Sequence, residues 1–365
     1  MTRFRRLLVG LLLAVGLASL LPIAATYALT GSYIGRPFRE FYLTHQGMRV
    51  LGAPQTGIRQ VGGYPSQYFE KGRLEEHREV QDAQWRLMYG RLTAELIERA
   101  PETLANSTNL TYADIQRATA ERQPAPAGFV GGTMPVEGGV FIPFDPQLAA
   151  APGYVTPDYF WSYINRADLF PGGWLHDAGL PLTPPLTTQT VKNGERRTIT
   201  MQAFERTMLT FDPQNPADWQ VERGNLGTDM LRLDGTMPPR EAGPKRIEVD
   251  LSEQWLTAYA GDEVVYDAPV STGKDGFNTP TGSYKIYLKY RSQTMRGSLG
   301  GESWVVPDVP NVMYFNGSVA LHGAYWHNLF GTGQRLSHGC VNLPLDAAAA
   351  LYDWAPEGTP VIVRP

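Results

Sequence analysis

The chain contains one cysteine, and two histidine-bearing segments stand near it in the C-terminal third. One segment ends in His322-Gly323, and the other reads Ser337-His338-Gly339-Cys340-Val341-Asn342. A thiolate is a strong nucleophile, but a free thiol is mostly protonated at neutral pH. A neighbouring imidazole can take that proton and later return it to a leaving amine. These residue types are suited to nucleophilic chemistry at Cys340, with an imidazole as the base.

The N-terminus predicts where this thiol works. Arg3, Arg5 and Arg6 precede an apolar run and then small residues, the pattern of a secretory signal. We predict that residues 1–28 are a signal peptide, with an uncleaved N-terminal anchor as the alternative. Both place the body of the protein outside the cytoplasmic membrane. In a secreted chain a single cysteine is either a reactive thiol or a small buried apolar residue.

The elements that must position the two segments have the periodicity of β-strands. Arg246 to Leu251 alternates apolar and polar residues, and two further runs around the turn Gly261-Asp262 read as a hairpin. More short elements follow: strands at residues 283–290, 319–322 and 360–363, and a helix at 346–354. Residues 245–364 are therefore expected to form a closed or sandwiched β domain.

The segments around His322 and Cys340 match the signature of the YkuD-type L,D-transpeptidase catalytic domain, which residues 245–364 resemble. Residues 271–273 and 279–282 resemble the strand and loop that lead to that family's cleft. The resemblance implies a mainly β fold, a β-sandwich or barrel with one short helix, and no cofactor. It also implies peptidoglycan stem peptides as substrates, carbapenems as covalent inhibitors, and a place in or near the cell wall.

The resemblance assigns roles in the predicted site. His322 is the expected base, oriented by the backbone carbonyl of Gly323. The oxyanion donors are expected to be the N–H of Cys340 and that of Gly339 or His338, because glycine lets the chain turn tightly.

Further residues near the motif are expected to support these roles. Ser337 and Asn342 either brace the turn or contact substrate. Two interpretations of the His338 ring stay open: contact with substrate or the site, or satisfaction of backbone groups in a crowded turn.

The long segment 291–311 corresponds to the position where the family has a lid over the cleft. An ordinary surface loop is the alternative interpretation of this stretch. The candidate cleft residues are Met295, Trp304, Tyr314, Tyr325, Trp326 and His327.

Upstream, the chain contains two copies of a motif series, which predict an α+β module at residues 38–100, a linker at 101–128 and a second module at 129–236. Each copy has, in order, an aromatic pair, G-x-P-x-T, Q-x-F-E, a tryptophan and G-x-L. They resemble wall-associated repeat modules, and a surface that faces wall glycan is one of two interpretations of their aromatic residues. The aromatic side chains either form the cores or stack on sugars; they are Tyr42, Tyr68, Trp85, Trp161 and Trp219.

Alternative functions remain at this point. Water could resolve the thioester, which would make the enzyme an L,D-carboxypeptidase. His322, His338 and Cys340 could hold zinc, although their spacing is unusual for that metal. The chain could also be a wall-binding protein with an inactive catalytic domain. The net charge of −4, without a basic block, gives no reason to expect nucleic acid as a partner.

Overall fold

The computed structural model describes residues 33–365, apart from 147, 149, 193 and 235–242. The predicted signal or anchor at residues 1–28 lies outside the described residues. Among the described helices, none has the length and apolar character needed to span a membrane. Strands hold 39% of the residues and helices 21%, so the mainly β fold class is confirmed.

The first N-terminal unit is a four-stranded antiparallel sheet with short helices. The sheet order is β1-β2-β3-β4. Its elements are α1 (Arg36–Thr44), α2 (Gly47–Val50), β1 (Arg59–Val61), β2 (Tyr64–Phe69), β3 (Gly72–Glu76), α3 (Ala83–Arg86), β4 (Leu87–Tyr89) and α4 (Leu92–Arg99).

Residues 101–128, which the sequence predicts as a linker, contain a helix that contributes to a core. Helix α5 (Tyr112–Ala118) begins with a capping box, in which Thr111 and Asp114 satisfy each other's backbone amides. Tyr112 and Ile115 are fully buried on its inner face. This part of the segment is therefore ordered by apolar packing.

The second unit contains two sheets. A three-stranded sheet precedes a four-stranded antiparallel sheet of order β11-β10-β9-β8. The elements are β5 (Met134–Val136), β6 (Gly139–Pro143), β7 (Gly153–Pro157), α6 (Asp158–Ile164), α7 (Trp174–Asp177), β8 (Leu186–Lys192), β9 (Glu195–Ala203), β10 (Met208–Phe211), β11 (Val221–Arg223) and α8 (Leu226–Leu233).

Equivalent motif residues make the same contacts in the two units. The amide of Gln67 donates to the carbonyl of Thr56 over 2.8 Å, and that of Gln202 donates to the carbonyl of Thr183 over 2.9 Å. In both units the buried glutamine thus holds the G-x-P-x-T turn against the sheet. Residues of both units also share one apolar core, in which Phe69 lies with Phe160, Phe204 and Leu209.

The aromatic residues of the motifs divide between core and surface. Tyr42 and Tyr68 are buried, with 7% and 4% of their surface exposed, so neither presents a face to a sugar. Trp85 and Trp161 are half-buried, and Trp219 is 46% exposed. Of the two interpretations, the core role therefore holds for these two tyrosines, and the sugar-stacking alternative does not.

The C-terminal domain consists of two sheets and one helix. The first sheet has the order β14-β13-β12-β20-β15 and the second the order β16-β17-β18-β19. The elements are β12 (Lys245–Asp250), β13 (Trp255–Ala260), β14 (Glu263–Pro269), β15 (Gly282–Lys285), β16 (Leu288–Leu299), β17 (Glu302–Asn316), β18 (Val319–Gly323), β19 (Val341–Leu343), α9 (Leu345–Trp354) and β20 (Pro360–Arg364).

The core of this domain lies between its two sheets and α9. Ile247 and Val249 of β12 are fully buried there, with Leu321 of β18, Val341 of β19 and Leu351 of α9. Because Leu321 and Val341 are neighbours of His322 and Cys340, the same packing that closes the core fixes the backbone on either side of the predicted site.

Two segments of the C-terminal domain differ in structure from the sequence-based prediction. The strand expected at residues 283–290 is divided between β15 in one sheet and β16 in the other, because buried Ile286 lies where the chain crosses the core. The segment 291–311, expected as a lid or a loop, is a long antiparallel hairpin formed by β16 and β17. Its tip contains Gly300 and Gly301, both with positive φ.

The first N-terminal unit is joined to the edge of the C-terminal sheet. Ile58 and Val264 exchange two backbone hydrogen bonds, of 3.0 and 3.2 Å. Gly57 lies so close to the carbonyl of Val264 that a Cβ would not fit. Arg39 also donates to the buried carboxylate of Asp267 over 2.7 Å. The unit therefore covers the otherwise open edge strand β14.

Candidate active site

The turn that carries Cys340 is built around a glycine and a serine. Gly339 has a φ of +115°, a conformation that glycine adopts without strain. The Ser337 hydroxyl accepts a hydrogen bond from the Gly339 amide (3.1 Å) and donates to the Cys340 carbonyl (2.5 Å). Thr279 donates to the Gly339 carbonyl over 2.8 Å. These bonds fix the backbone that presents the thiol.

His322 lies at the end of β18, next to the strand that follows Cys340. Strands β18 and β19 are parallel, and their register places His322 opposite Asn342. The imidazole is 3% exposed, and its Nδ1 lies 3.1 Å from the Gly323 carbonyl. A carbonyl accepts only, so Nδ1 carries the proton and Nε2 is the basic nitrogen. This is the orienting contact that the family resemblance implies for Gly323.

Burial sets the ionisation of both groups. Desolvation raises the pKa of the Cys340 thiol to about 11, although a backbone hydrogen bond at Ala320 opposes the shift. Desolvation also lowers the pKa of His322 to about 4, a shift that the Gly323 carbonyl opposes and His327 reinforces. Both shifts favour a neutral thiol beside a neutral imidazole over a preformed ion pair. The imidazole can thus act as a base when a substrate arrives.

A cleft of about 470 Å³ opens in front of Cys340 and His322. Of the predicted cleft residues, Met295, Trp304, Tyr314 and Trp326 line it. Tyr325 and His327, also predicted for the cleft, are not among its lining residues. Tyr325 is 49% exposed, and its hydroxyl donates to the Pro307 carbonyl over 2.6 Å.

Two contacts in the cleft were not foreseen from the sequence. The Cys340 thiol lies 3.7 Å from the carbonyl of Ser318, in the turn before β18. The Tyr314 hydroxyl donates to the side-chain oxygen of Gln293 over 3.0 Å, which ties β17 to β16 above the thiol. Neither Ser318 nor Gln293 belongs to a motif, so only the hairpin register could have pointed to them.

Asn342 holds the loop that precedes the motif. Its side-chain amide donates to Nε2 of His327 over 3.1 Å, and its backbone exchanges two hydrogen bonds with Ser271. Asn342 is 2% exposed. It therefore braces the turn, and it also lines the cleft.

His338 is directed toward the hairpin. Its ring stacks on Trp304 with centroids 4.0 Å apart, and its Nε2 lies 2.9 Å from a Glu302 carboxylate oxygen. Of the two interpretations from the sequence, this geometry favours a role within the site over satisfying backbone groups. Among the described residues no three His, Cys, Asp or Glu side chains are grouped to hold a metal ion, so the zinc alternative gains no support.

Comparison with known proteins agrees with the motif. Residues 244–363 match the family model of the YkuD L,D-transpeptidase catalytic domain. L,D-transpeptidase 1 of Mycobacterium tuberculosis is 29% identical over 130 residues, which are 34% of this chain and 52% of that protein. The chain thus matches about half the length of this curated relative.

Two solved structures of L,D-transpeptidases are similar to parts of the chain. The catalytic domain of the E. faecium L,D-transpeptidase, solved acylated by ertapenem, is 29% identical and covers 33% of this chain and 98% of its own, with a TM-score of 0.31. An L,D-transpeptidase from Mycobacterium smegmatis is 20% identical and covers 49% of this chain and 77% of its own, with a TM-score of 0.32. On the family match, residues 244–363 belong to the YkuD family of L,D-transpeptidase catalytic domains.

Proposed function

We propose that this chain is a peptidoglycan L,D-transpeptidase that works through a thioester on Cys340. One observation carries the proposal. The only cysteine of the chain lies on a braced glycine turn, in a cleft it shares with a buried imidazole whose Nδ1–H is held by a backbone carbonyl. The proposal is supported by the family match of residues 244–363.

In the proposed acylation step, Nε2 of His322 takes the thiol proton as Sγ attacks the carbonyl carbon of the L,D-amide in a tetrapeptide stem. The C–N bond then breaks, and the terminal D-alanine leaves with the proton from His322. In the second step an amine on a neighbouring stem attacks the thioester carbonyl and gives a proton to His322. The C–S bond then breaks, the proton returns to the Cys340 sulfur, and the new amide is the cross-link.

The oxyanion of each tetrahedral intermediate needs backbone donors. The Gly339 amide already donates to Ser337, so it is not free for this role. We therefore assign the oxyanion donors to the amides of Cys340 and His338, which is a correction to the alternative that names Gly339.

Incubation with defined stem peptides tests the proposed reaction. A tetrapeptide donor with a diamine-bearing acceptor should give a cross-linked dimer and free D-alanine, read by mass spectrometry. Accumulation of tripeptide without dimer would assign the site to hydrolysis. Loss of activity with a metal chelator but not with a thiol alkylator would overturn the cysteine mechanism.

The remaining proposals concern the whole chain. We propose that it works outside the cytoplasmic membrane, that Cys340 is acylated by carbapenems, and that the N-terminal units contact wall glycan through exposed aromatic residues. Trp219 is the best placed of these, since it is the most exposed of the motif aromatic residues, at 46%. Trp219→Ala should lower the fraction of protein that sediments with purified walls. Substitution of the buried Tyr68 should act only through the stability of the fold. Equal wall binding by the wild type and Trp219→Ala would contradict the glycan role.

A further inference from the structure

The cleft in front of Cys340 is lined by a single side chain with a full charge. Apart from two histidines, Arg296 is the only described lining residue that is ionised at neutral pH, and no aspartate, glutamate or lysine of the described chain joins it there. A cleft with one cation and no carboxylate has a positive potential, which attracts an anionic ligand.

The two histidines of the lining do not reverse this balance. Burial lowers the pKa of His322 to about 4, so its ring is neutral at neutral pH. Nε2 of His338 lies 2.9 Å from a carboxylate oxygen of Glu302, so a proton on that ring is matched by an acidic partner. The charge that faces a ligand in the cleft is therefore that of Arg296.

The guanidinium of Arg296 is exposed and unpaired. It forms no ion pair or hydrogen bond with any other residue that the structure describes. Glu302, on the same hairpin, is engaged by the Lys274 ammonium over 2.6 Å. By contrast Arg291, earlier on β16, pairs with Asp353 over 2.6 Å. Arg296 is thus free to bind a ligand carboxylate, which a guanidinium can hold with two parallel hydrogen bonds.

The backbone of Arg296 is held close to the nucleophile. Its preceding residue, Met295, lies opposite Val306 in the hairpin, and both pack in the small apolar cluster that also contains Cys340. Arg296 itself lies opposite Val305. The charged side chain therefore starts one residue away from a packed contact with the nucleophile.

The proposed reaction brings a carboxylate to this place. In a tetrapeptide stem the terminal D-alanine has a free α-carboxylate. One nitrogen and one α-carbon separate it from the attacked carbonyl carbon, a distance of about 4 Å or less. This carboxylate must therefore enter the cleft together with the bond that Cys340 attacks. The acceptor stem brings carboxylates as well, but only in the second step.

We propose that Arg296 is a specificity residue that binds a carboxylate of the peptide substrate, first of all that of the leaving D-alanine. The identity of the peptide rests on the proposed function; the preference of the cleft for an anion does not. Arg296 thereby favours donors that end in a free acid directly after the attacked bond.

Alkylation of Cys340 tests the charge of the cleft directly, because the chain has no other cysteine. Iodoacetate and iodoacetamide have similar size and differ in charge. In the full-length protein at low salt, Arg296→Gln should lower the ratio of the iodoacetate rate to the iodoacetamide rate by about two- to fivefold. Arg296→Lys should keep most of the wild-type ratio. A change in the reactivity of the thiol itself cancels in the ratio.

The matched control is Arg291→Gln, which removes an arginine of the same strand that does not line the cleft. It should leave the wild-type ratio unchanged. An unchanged ratio in Arg296→Gln, or an equal fall in Arg291→Gln, would overturn the proposal.

Defined peptides identify which carboxylate is bound. The wild type should use a tetrapeptide donor with a free terminal acid about tenfold better in kcat/KM than the same donor with a terminal amide, and Arg296→Gln should bring the two near parity. If parity appears only when acceptor carboxylates are amidated, Arg296 binds the acceptor. Free-acid preferences that all persist in Arg296→Gln would overturn the proposal. A lowered iodoacetate ratio in a protein that processes no stem peptide would leave the carboxylate site in place and remove the proposed function instead.

Discussion

The pH dependence of Cys340 acylation should show whether the base is a buried imidazole with a lowered pKa or an ordinary imidazole. Burial lowers the pKa of His322 from the usual 6.5 to about 4. At a pH of about 5.5 such an imidazole is about 97% neutral, whereas one titrating at 6.5 would be only about 9% neutral. We therefore expect the rate at which a carbapenem acylates Cys340 to stay within a few per cent of its plateau at that pH.

The assay is stopped-flow acylation across a pH series, with near-ultraviolet circular dichroism to verify that the fold persists. His322→Gln should lower the acylation rate by about a hundredfold or more, and it should abolish the fall in rate at acid pH. A half-loss of rate near pH 6.5 in the wild type would refute the desolvated base.

The same shift has a consequence for stability. An unfolded imidazole binds its proton near pH 6.5 and the folded one only near pH 4, so the unfolded chain binds more protons in that window. Stability should therefore fall as the pH drops from 6.5 to 4, by up to about 3 kcal/mol from this group. His322→Gln should remove that part of the acid sensitivity, and an unchanged slope would contradict the assignment.

Two substitutions test the contacts that surround the site. Arg39→Met removes the side-chain partner of Asp267, whose own side chain is 4% exposed, and leaves only the Arg36 amide on that carboxylate. This should cost about 2 kcal/mol of unfolding free energy after allowance for the 35% exposure of Arg39. Arg166→Met, which breaks an exposed pair, should cost under about 0.5 kcal/mol in the same denaturation series, and equal losses would contradict the docking of the first unit. Ser337→Ala removes the hydroxyl that bridges the nucleophile turn, and it should slow acylation of Cys340 about tenfold. The surface variant Ser303→Ala is the control and should leave the acylation rate unchanged. An unaltered rate in Ser337→Ala would show that the bridge is dispensable.

The placement of His322 and Cys340 was predictable from the sequence because both residues adjoin regular strands with a clear apolar pattern. Alternating apolar residues identify β12, and a short apolar run identifies β18. The apolar neighbours of His322 and Cys340 are residues that close the core. The short helix at α9 was visible from its alanine-rich run. Local periodicity and a compact motif therefore suffice where the chain has one buried face.

The hairpin was not predictable as strands. Strand β17 contains Pro307 and Pro310, and Asp308 and Asn311 have positive φ. These are signals of a loop. The sheet tolerates them because this part of β17 pairs with β16 only, and pairing with β18 begins at Met313.

The packing between the units could also not be predicted from the sequence. The burial of Tyr42 and Tyr68 depends on surfaces that are brought together only in the folded units. The exposed place of Tyr325 likewise follows from its bond to Pro307 on the hairpin, which the motif does not encode.

Mapping the acylated residue tests the central claim most directly. The full-length protein is incubated with a carbapenem such as meropenem, and the intact mass and its peptides are measured. We predict one adduct, located on Cys340, that is absent from Cys340→Ala and forms much more slowly in His322→Gln. No adduct on the wild type, or an adduct that persists in Cys340→Ala, would contradict the assignment of Cys340 as the nucleophile.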